Sequence, residues 1–235
     1  MAVTFTNQPK INVKKLNDAI RLFPQVFPIT DDMHITYKGV SRLVMLDRYS
    51  FKDTEKLTLT EGDFVVLTIK EDTKFPARGL GFILSIDWEG NKAQVLVDEE
   101  YRHVLEDPEE AESGIITRSL DVIEKPLEVY YEQIAKRNAA GLAEVEETPE
   151  LREEWFNKFY EELVQLNFVP AGRVLYGAGS GKEVTYFNCY VMPFVHDSRE
   201  GISEHRKKVM EIMSRGGGVG TNGSTLRPRN TLARG

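Results

Sequence analysis

Tyr186-Phe187-Asn188-Cys189-Tyr190-Val191-Met192-Pro193, then residues 201–214, then Gly216-Gly217-Gly218-Val219-Gly220, then residues 221–226: this run decides the fold class. Its first segment is apolar and β-like, with Cys189 inside it. Residues 201–214 put Ile202, Val209, Ile212 and Met213 at helical spacing. The glycines break that helix, and 221–226 reads as a second short strand, left through Arg227-Pro228-Arg229. Strand, helix, glycine turn and strand make a βαβ unit, which normally belongs to a parallel sheet. One such unit cannot close a sheet, so this part reads as the start of a larger α/β domain that stops at Gly235.

Working back towards the N-terminus, the pattern changes. Residues 148–170 spell a helix: Thr148 is a natural N-cap, Pro149 suits the first helical position, and Pro170 closes it. Trp155, Phe156, Phe159, Tyr160, Leu163 and Leu166 supply its apolar stripe. A preceding helix covers about 126–140, with Pro126 in its first turn. The acidic stretch 105–114 reads as a linker or solvated loop. Segments 40–46, 64–69, 80–87 and 92–97 are short and rich in β-branched and aromatic residues, with turn residues between them. They predict a small, bent antiparallel sheet, a partly closed barrel, with a bulge near Gly79 and Gly81. Residues 12–23 form a short helix ended by Pro24. The expected organisation is an N-terminal helix and arm (1–39), a small β domain (40–104), an acidic linker and helical region (105–169), and the opening of an α/β barrel (170–235). The fold class is thus α+β passing to α/β.

Composition narrows the function. The 235 residues are 41% hydrophobic and 29% charged, as in an ordinary globular chain. No apolar run approaches the ~20 residues of a membrane span, and no basic-then-apolar leader opens the sequence, so no membrane partner and a cytoplasmic location are expected. A single cysteine excludes a disulfide-framed extracellular domain. The net charge of −7 argues against a nucleic-acid coat protein. Charge is uneven, however. Residues 98–112 carry eight acids against Arg102, whereas 201–235 carry seven basic residues against Glu204 and Glu211. A basic, glycine-rich end on an acidic protein suits a small anion such as a nucleotide.

The residues alone leave alternatives open. Cys189 is either a small core hydrophobe or a redox thiol. No Cys-x-x-Cys or zinc-ligand spacing exists, and no metal site is expected. The glycines 216–220 either cap a helix or let backbone approach an anion. Asp197-Ser198 is a candidate N-cap. Arg227 is either a phosphate ligand or a solvated strand end.

Five segments in order carry a resemblance: residues 168–179, 187–191, 197–202, the glycines 216–220, and Leu226-Arg227-Pro228. Together they resemble the start of the catalytic barrel of ribonucleotide reductase large subunits, most nearly the adenosylcobalamin-dependent class. The resemblance covers roughly residues 115–235, whereas the β-rich segment does not match the family's ATP-cone.

This resemblance implies a ten-stranded α/β barrel, of which this chain holds the first part. It implies that Cys189 is one of the two thiols that reduce the ribose 2′ position. Asn188 would contact the substrate sugar, Ala171 and Gly172 the substrate phosphates, and main chain at Gly217 and Gly218 would border the substrate. The family usually has Ser or Thr in the first loop, where Arg173 and Val174 stand here. Asp197, Ser198 and Ile202 match the site for a deoxynucleotide or ATP effector, and Arg227 a contact to its phosphates. The implied partners are the remaining barrel chain, a second copy through the 201–214 helix, a ribonucleotide, and an external thiol reductant such as thioredoxin. Adenosylcobalamin would lie mostly outside this chain, which alone should be inactive. The competing expectation is a non-catalytic module for effector binding and assembly. A nucleic-acid-binding barrel over 40–103 is the third.

Overall fold

The computed structural model describes residues 9–232, and the chain divides into two compact units, Met1–Lys182 and Glu183–Gly235. The first unit opens with α1 (Val13–Ile20), capped by the Asn12 side chain, which accepts from the Lys15 N–H at 3.1 Å. Leu16, Ala19 and Ile20 turn inward, as the spacing predicts. The segment 40–46, expected as a strand, is helical instead: α2 (Gly39–Val44) runs into a π-helical turn, Met45–Tyr49. Its β-branched Val40 and Val44 face solvent, while burial falls on Met45 and Leu46. Anchors outside the segment override its local preference. Arg42 donates to Asp98 at 3.0 Å, and the Tyr101 hydroxyl donates to the Gly39 carbonyl at 2.8 Å.

A six-stranded antiparallel sheet follows, built from β1 (Lys52–Asp53), β2 (Phe64–Lys70), β3 (Ala77–Asp87), β4 (Lys92–Val97), β5 (Ile115–Ser119) and β6 (Ile123–Pro126). The order is β1-β6-β2-β3-β4-β5. The edges β1 and β5 do not pair, so the expected barrel is not closed. In β2 the successive residues Phe64 to Leu67 are all buried, which requires cover on both faces of that strand. The expected bulge is present but lies on the partner strand. Thr68 and Lys70 pair with Arg78 and Ala77, leaving Ile69 as the extra residue. The Ile69 side chain fills the space a Cβ on Gly79 would need, at 2.9 Å.

The acidic stretch is ordered. Asp107 caps α3 (Pro108–Ser113) through the N–H groups of Glu109 and Glu110, and Gly114 closes it in the left-handed region. Strands β5 and β6 follow, so the sheet continues beyond residue 104, and Pro126 ends a strand rather than opening a helix.

Helices α4 (Tyr131–Ala143) and α5 (Pro149–Val164) pack together on the core. Thr148 caps α5 as expected, accepting from the Leu151 N–H at 3.3 Å. α5 stops well before Pro170, and Leu166 takes a left-handed turn with φ 59°. Buried polar side chains of α4 fasten other segments of the chain. Glu132 accepts from the His34 and Ile35 N–H groups, and Gln133 donates to the Phe27 carbonyl. A short α6 (Gly172–Gly177), read from the sequence as a glycine-punctuated loop, completes the unit.

The second unit contains β7 (Cys189–Tyr190), α7 (Arg199–Ser214) and β8 (Gly218–Val219). The strands pair in parallel, Cys189 opposite Gly218 and Tyr190 opposite Val219. This is the expected βαβ connection with one shift. The second strand is the glycine run itself, and 221–226 is irregular. With only two paired residues per strand, this unit shows no ten-stranded barrel.

Candidate functional site

The arrangement around Cys189 follows from how α7 ends. The Gly216 N–H donates to the Met213 carbonyl and the Gly217 N–H to the Ile212 carbonyl, both at 2.9 Å. Gly216 sits at φ 75°, the usual left-handed helix end. Gly217 then passes under the helix. A Cβ there would lie 2.6 Å from Ile212 Cγ2 and 2.9 Å from the Tyr190 ring. At Gly218 the backbone N–H donates to the Asn188 carbonyl at 2.7 Å, starting the parallel pair. A Cβ on Gly218 would stand 3.4 Å from Cys189 Sγ. The capping reading of the glycine run holds at Gly216, while Gly217 and Gly218 allow close approach of Ile212, Tyr190 and Cys189.

Cys189 is exposed, not buried within a strand. The structure thus brings together Asn188, Cys189, Gly217 and Gly218. The Asn188 carbonyl accepts from the Gly218 N–H, and the residue is exposed. Ala171 and Gly172 belong to the first unit, at the start of α6. The Ala171 carbonyl accepts from Val174 and Leu175, and Gly172 lies against the Tyr49 ring.

The second cluster stands at the other end of α7. The Ser198 hydroxyl accepts from the Gly201 N–H at 3.0 Å, an N-cap. Arg227 Nε donates to Asp197 Oδ2 at 2.7 Å, and its backbone N–H reaches the same oxygen at 3.2 Å. Asp197, Ser198 and Arg227 are therefore neighbours, with Arg227 holding Asp197 rather than standing free. Ile202 borders an open, mainly apolar groove of about 480 Å³ with Val195, Val209, Met210 and Leu226. His205 Nε2 lies 3.0 Å from Thr221 Oγ1 on the same groove. That pair is sixteen residues apart in the chain, and α7 and the loop after the glycines bring it together only in space. At the exposed Glu204, hydrogen bonding from Lys208 lowers the carboxyl below its ordinary range.

Sequence reading also missed the buried centre of the first unit. Arg137 Nε donates to Glu128 Oε1 at 2.7 Å, and both side chains are essentially inaccessible. The available signal was local: Arg137 follows Ile134 by one turn on an apolar helix, and Glu128 sits between Leu127 and Val129.

Among the described residues, no helix is long and apolar enough to cross a membrane. Residues 120–183 match the family model described as the all-alpha domain of ribonucleotide reductase. That stretch holds α4, α5 and α6 with Ala171 and Gly172, and ends before Cys189. The chain is also 26% identical, across 97% of its length, to a Thermoplasma acidophilum protein named vitamin B12-dependent ribonucleoside-diphosphate reductase. It spans 28% of that relative.

Proposed function

The chain resembles the N-terminal portion of ribonucleotide reductases of the vitamin B12-dependent class, and from that premise we propose that it supplies one redox cysteine and part of the nucleotide sites of such an enzyme. The observation that carries this reading is the exposed Cys189 thiol beside Gly218, a position without a side chain to block a ligand.

The chemistry sets the demand. Converting a ribose 2′ C–OH to C–H takes two electrons and releases water. Two thiols meet it by losing two protons and two electrons as they close to a disulfide. Cys189 is one of the pair. This chain has a single cysteine, so the second thiol, and the third cysteine whose thiyl radical starts the reaction, come from the remaining barrel. In this reading the Asn188 amide holds the sugar, main chain at Gly217 and Gly218 borders the substrate, and Ala171 and Gly172 meet its phosphates. An external dithiol such as thioredoxin reduces the disulfide again.

Asp197, Ser198, Ile202 and Arg227 form the effector site, where a deoxynucleotide or ATP phosphate competes with Asp197 for the guanidinium. Ile202, Met210 and Met213 are exposed along α7 and suit pairing with a second copy. Adenosylcobalamin supplies the radical in the complete enzyme. No residue of this chain is assigned to it.

The test combines the chain with the remaining barrel polypeptide and measures deoxyribonucleotide formation. We expect the Cys189→Ser variant to lose multiple turnover while binding effector as the wild type does. Full turnover in the serine variant would remove the redox role and favour the effector-binding and assembly module.

A further inference from the structure

We infer that Arg137, held by Glu128, is a positioning residue that sets the segment 171–178, and through it the placement of Ala171 and Gly172. Every nitrogen of its guanidinium is engaged. Besides Nε to Glu128 Oε1, one terminal nitrogen donates to the Ala178 carbonyl at 2.8 Å and, longer, to that of Tyr176 at 3.4 Å. The other donates to Glu128 Oε2 at 3.0 Å, to the Leu175 carbonyl at 3.1 Å and to the Tyr49 carbonyl at 2.9 Å. The carbonyls at the C-terminal end of α6 lack helical partners, and a buried cation is a strong donor for them. Asn138 adds a bond to the Leu175 carbonyl at 3.0 Å.

The other end of α6 is set through Tyr49. Its carbonyl is held by Arg137, and its ring lies against Gly172, where a Cβ would come within 3.1 Å of the ring carbon Cε1. One guanidinium therefore fixes both the end of α6 and the ring that shapes its start. The backbones close the joint. A Cβ on Gly141 of α4 would lie 2.1 Å from the Gly179 nitrogen, and one on Gly179 would lie 2.2 Å from the Arg137 carbonyl oxygen. Glu128, whose other oxygen accepts from the Phe51 N–H at 2.7 Å, keeps the guanidinium from rotating. The inference rests on the proposed function only for what Ala171 and Gly172 would touch.

The experiment uses the 235-residue chain and the double variant Glu128→Gln/Arg137→Met, which removes both charges together and so leaves none uncompensated in the core. Hydrogen exchange of the 172–178 amides should become about tenfold faster or more, with β2 amides unchanged. The Kd for ADP should rise about tenfold, and Arg137→Lys should recover part of both effects, since it keeps the charge but loses the fork. Unchanged exchange at 172–178 would overturn the inference, as would equal acceleration in β2, which marks a merely structural role. Should the double variant not fold, Arg137→Lys alone, which keeps a charge beside Glu128 but loses the fork, is read by the same two measurements. If wild-type chain does not bind ADP, the substrate role of Ala171 and Gly172 falls, while exchange alone decides the positioning. Faster exchange with unchanged ADP affinity overturns the link to the ligand.

Discussion

The two units solve the burial problem in opposite ways. The first covers a central strand on both faces and buries two ion pairs outright: Glu128 with Arg137, and Asp63 with Lys125 at 2.7 Å. The second has two-residue strands and leaves Phe187, Val191, Phe194, Met210 and Met213 largely exposed. Its ion pairs are exposed or half-exposed, among them Asp197 with Arg227, about one-third exposed, and Glu204 with Lys208, where such pairs are worth only ~0–1 kcal/mol. The lesson is that the first unit encloses a core, whereas the second leaves much of its apolar surface open.

Core truncation gives the largest expected contrast. Leu67→Ala removes a fully buried side chain and should cost about 2–5 kcal/mol, read as a shift in the denaturant midpoint of the first unit. Met213→Ala, at an exposed position, should stay within about 0.5 kcal/mol. A similar loss at both positions would erase the contrast. Next in size is Gly217→Ala. The new Cβ meets Ile212 and Tyr190, and overpacking of this kind costs about 1–3 kcal/mol. It should loosen the β7–β8 pair and change the alkylation rate of Cys189 without moving the midpoint of the first unit.

The smallest effect is a pH dependence confined to the first unit. The Tyr131 hydroxyl is buried without a hydrogen-bond partner, and burial raises its pKa to about 12 from the ordinary 10.0. The folded state therefore favours the neutral phenol. Its contribution is complete below pH 10 and is lost as the pH rises from 10 towards 12, because the unfolded chain ionises first. Denaturant titrations at pH 8 and pH 11 should show this loss, and Tyr131→Phe should reduce it while leaving stability at pH 8 equal or higher. An undiminished loss in the Phe variant would assign the effect elsewhere. Tyr101, raised in the same direction by its burial, is the first place to look.

Legibility in the sequence followed the range of the interactions. The caps at Thr148 and Ser198 were readable because each bonds to an N–H three residues away. Strands β2, β3 and β4 announced themselves through apolar runs between turns. Residues 40–46 misled because their bonds reach Asp98 and Tyr101, far along the chain. β5 hid behind an acidic segment whose helix is made by Asp107 and Gly114. At the candidate site, the motif order placed Cys189 near the glycines, and the 189–218 register agrees. The exposure of the thiol was not readable, because it depends on how few strands surround it. The Arg137 contacts were hidden because their five carbonyl and carboxylate partners come from three separate parts of the chain, Tyr49, Glu128 and residues 175–178.

We propose that Cys189 gives electrons to a nucleotide in a site completed by another polypeptide. The most direct measurement is thiol trapping after a single turnover, with the chain combined with the remaining barrel, a ribonucleotide, and no external reductant. Mass spectrometry of alkylated peptides should find Cys189 blocked in a disulfide, one for each deoxyribonucleotide formed. Product formed while Cys189 remains fully alkylatable would contradict the account.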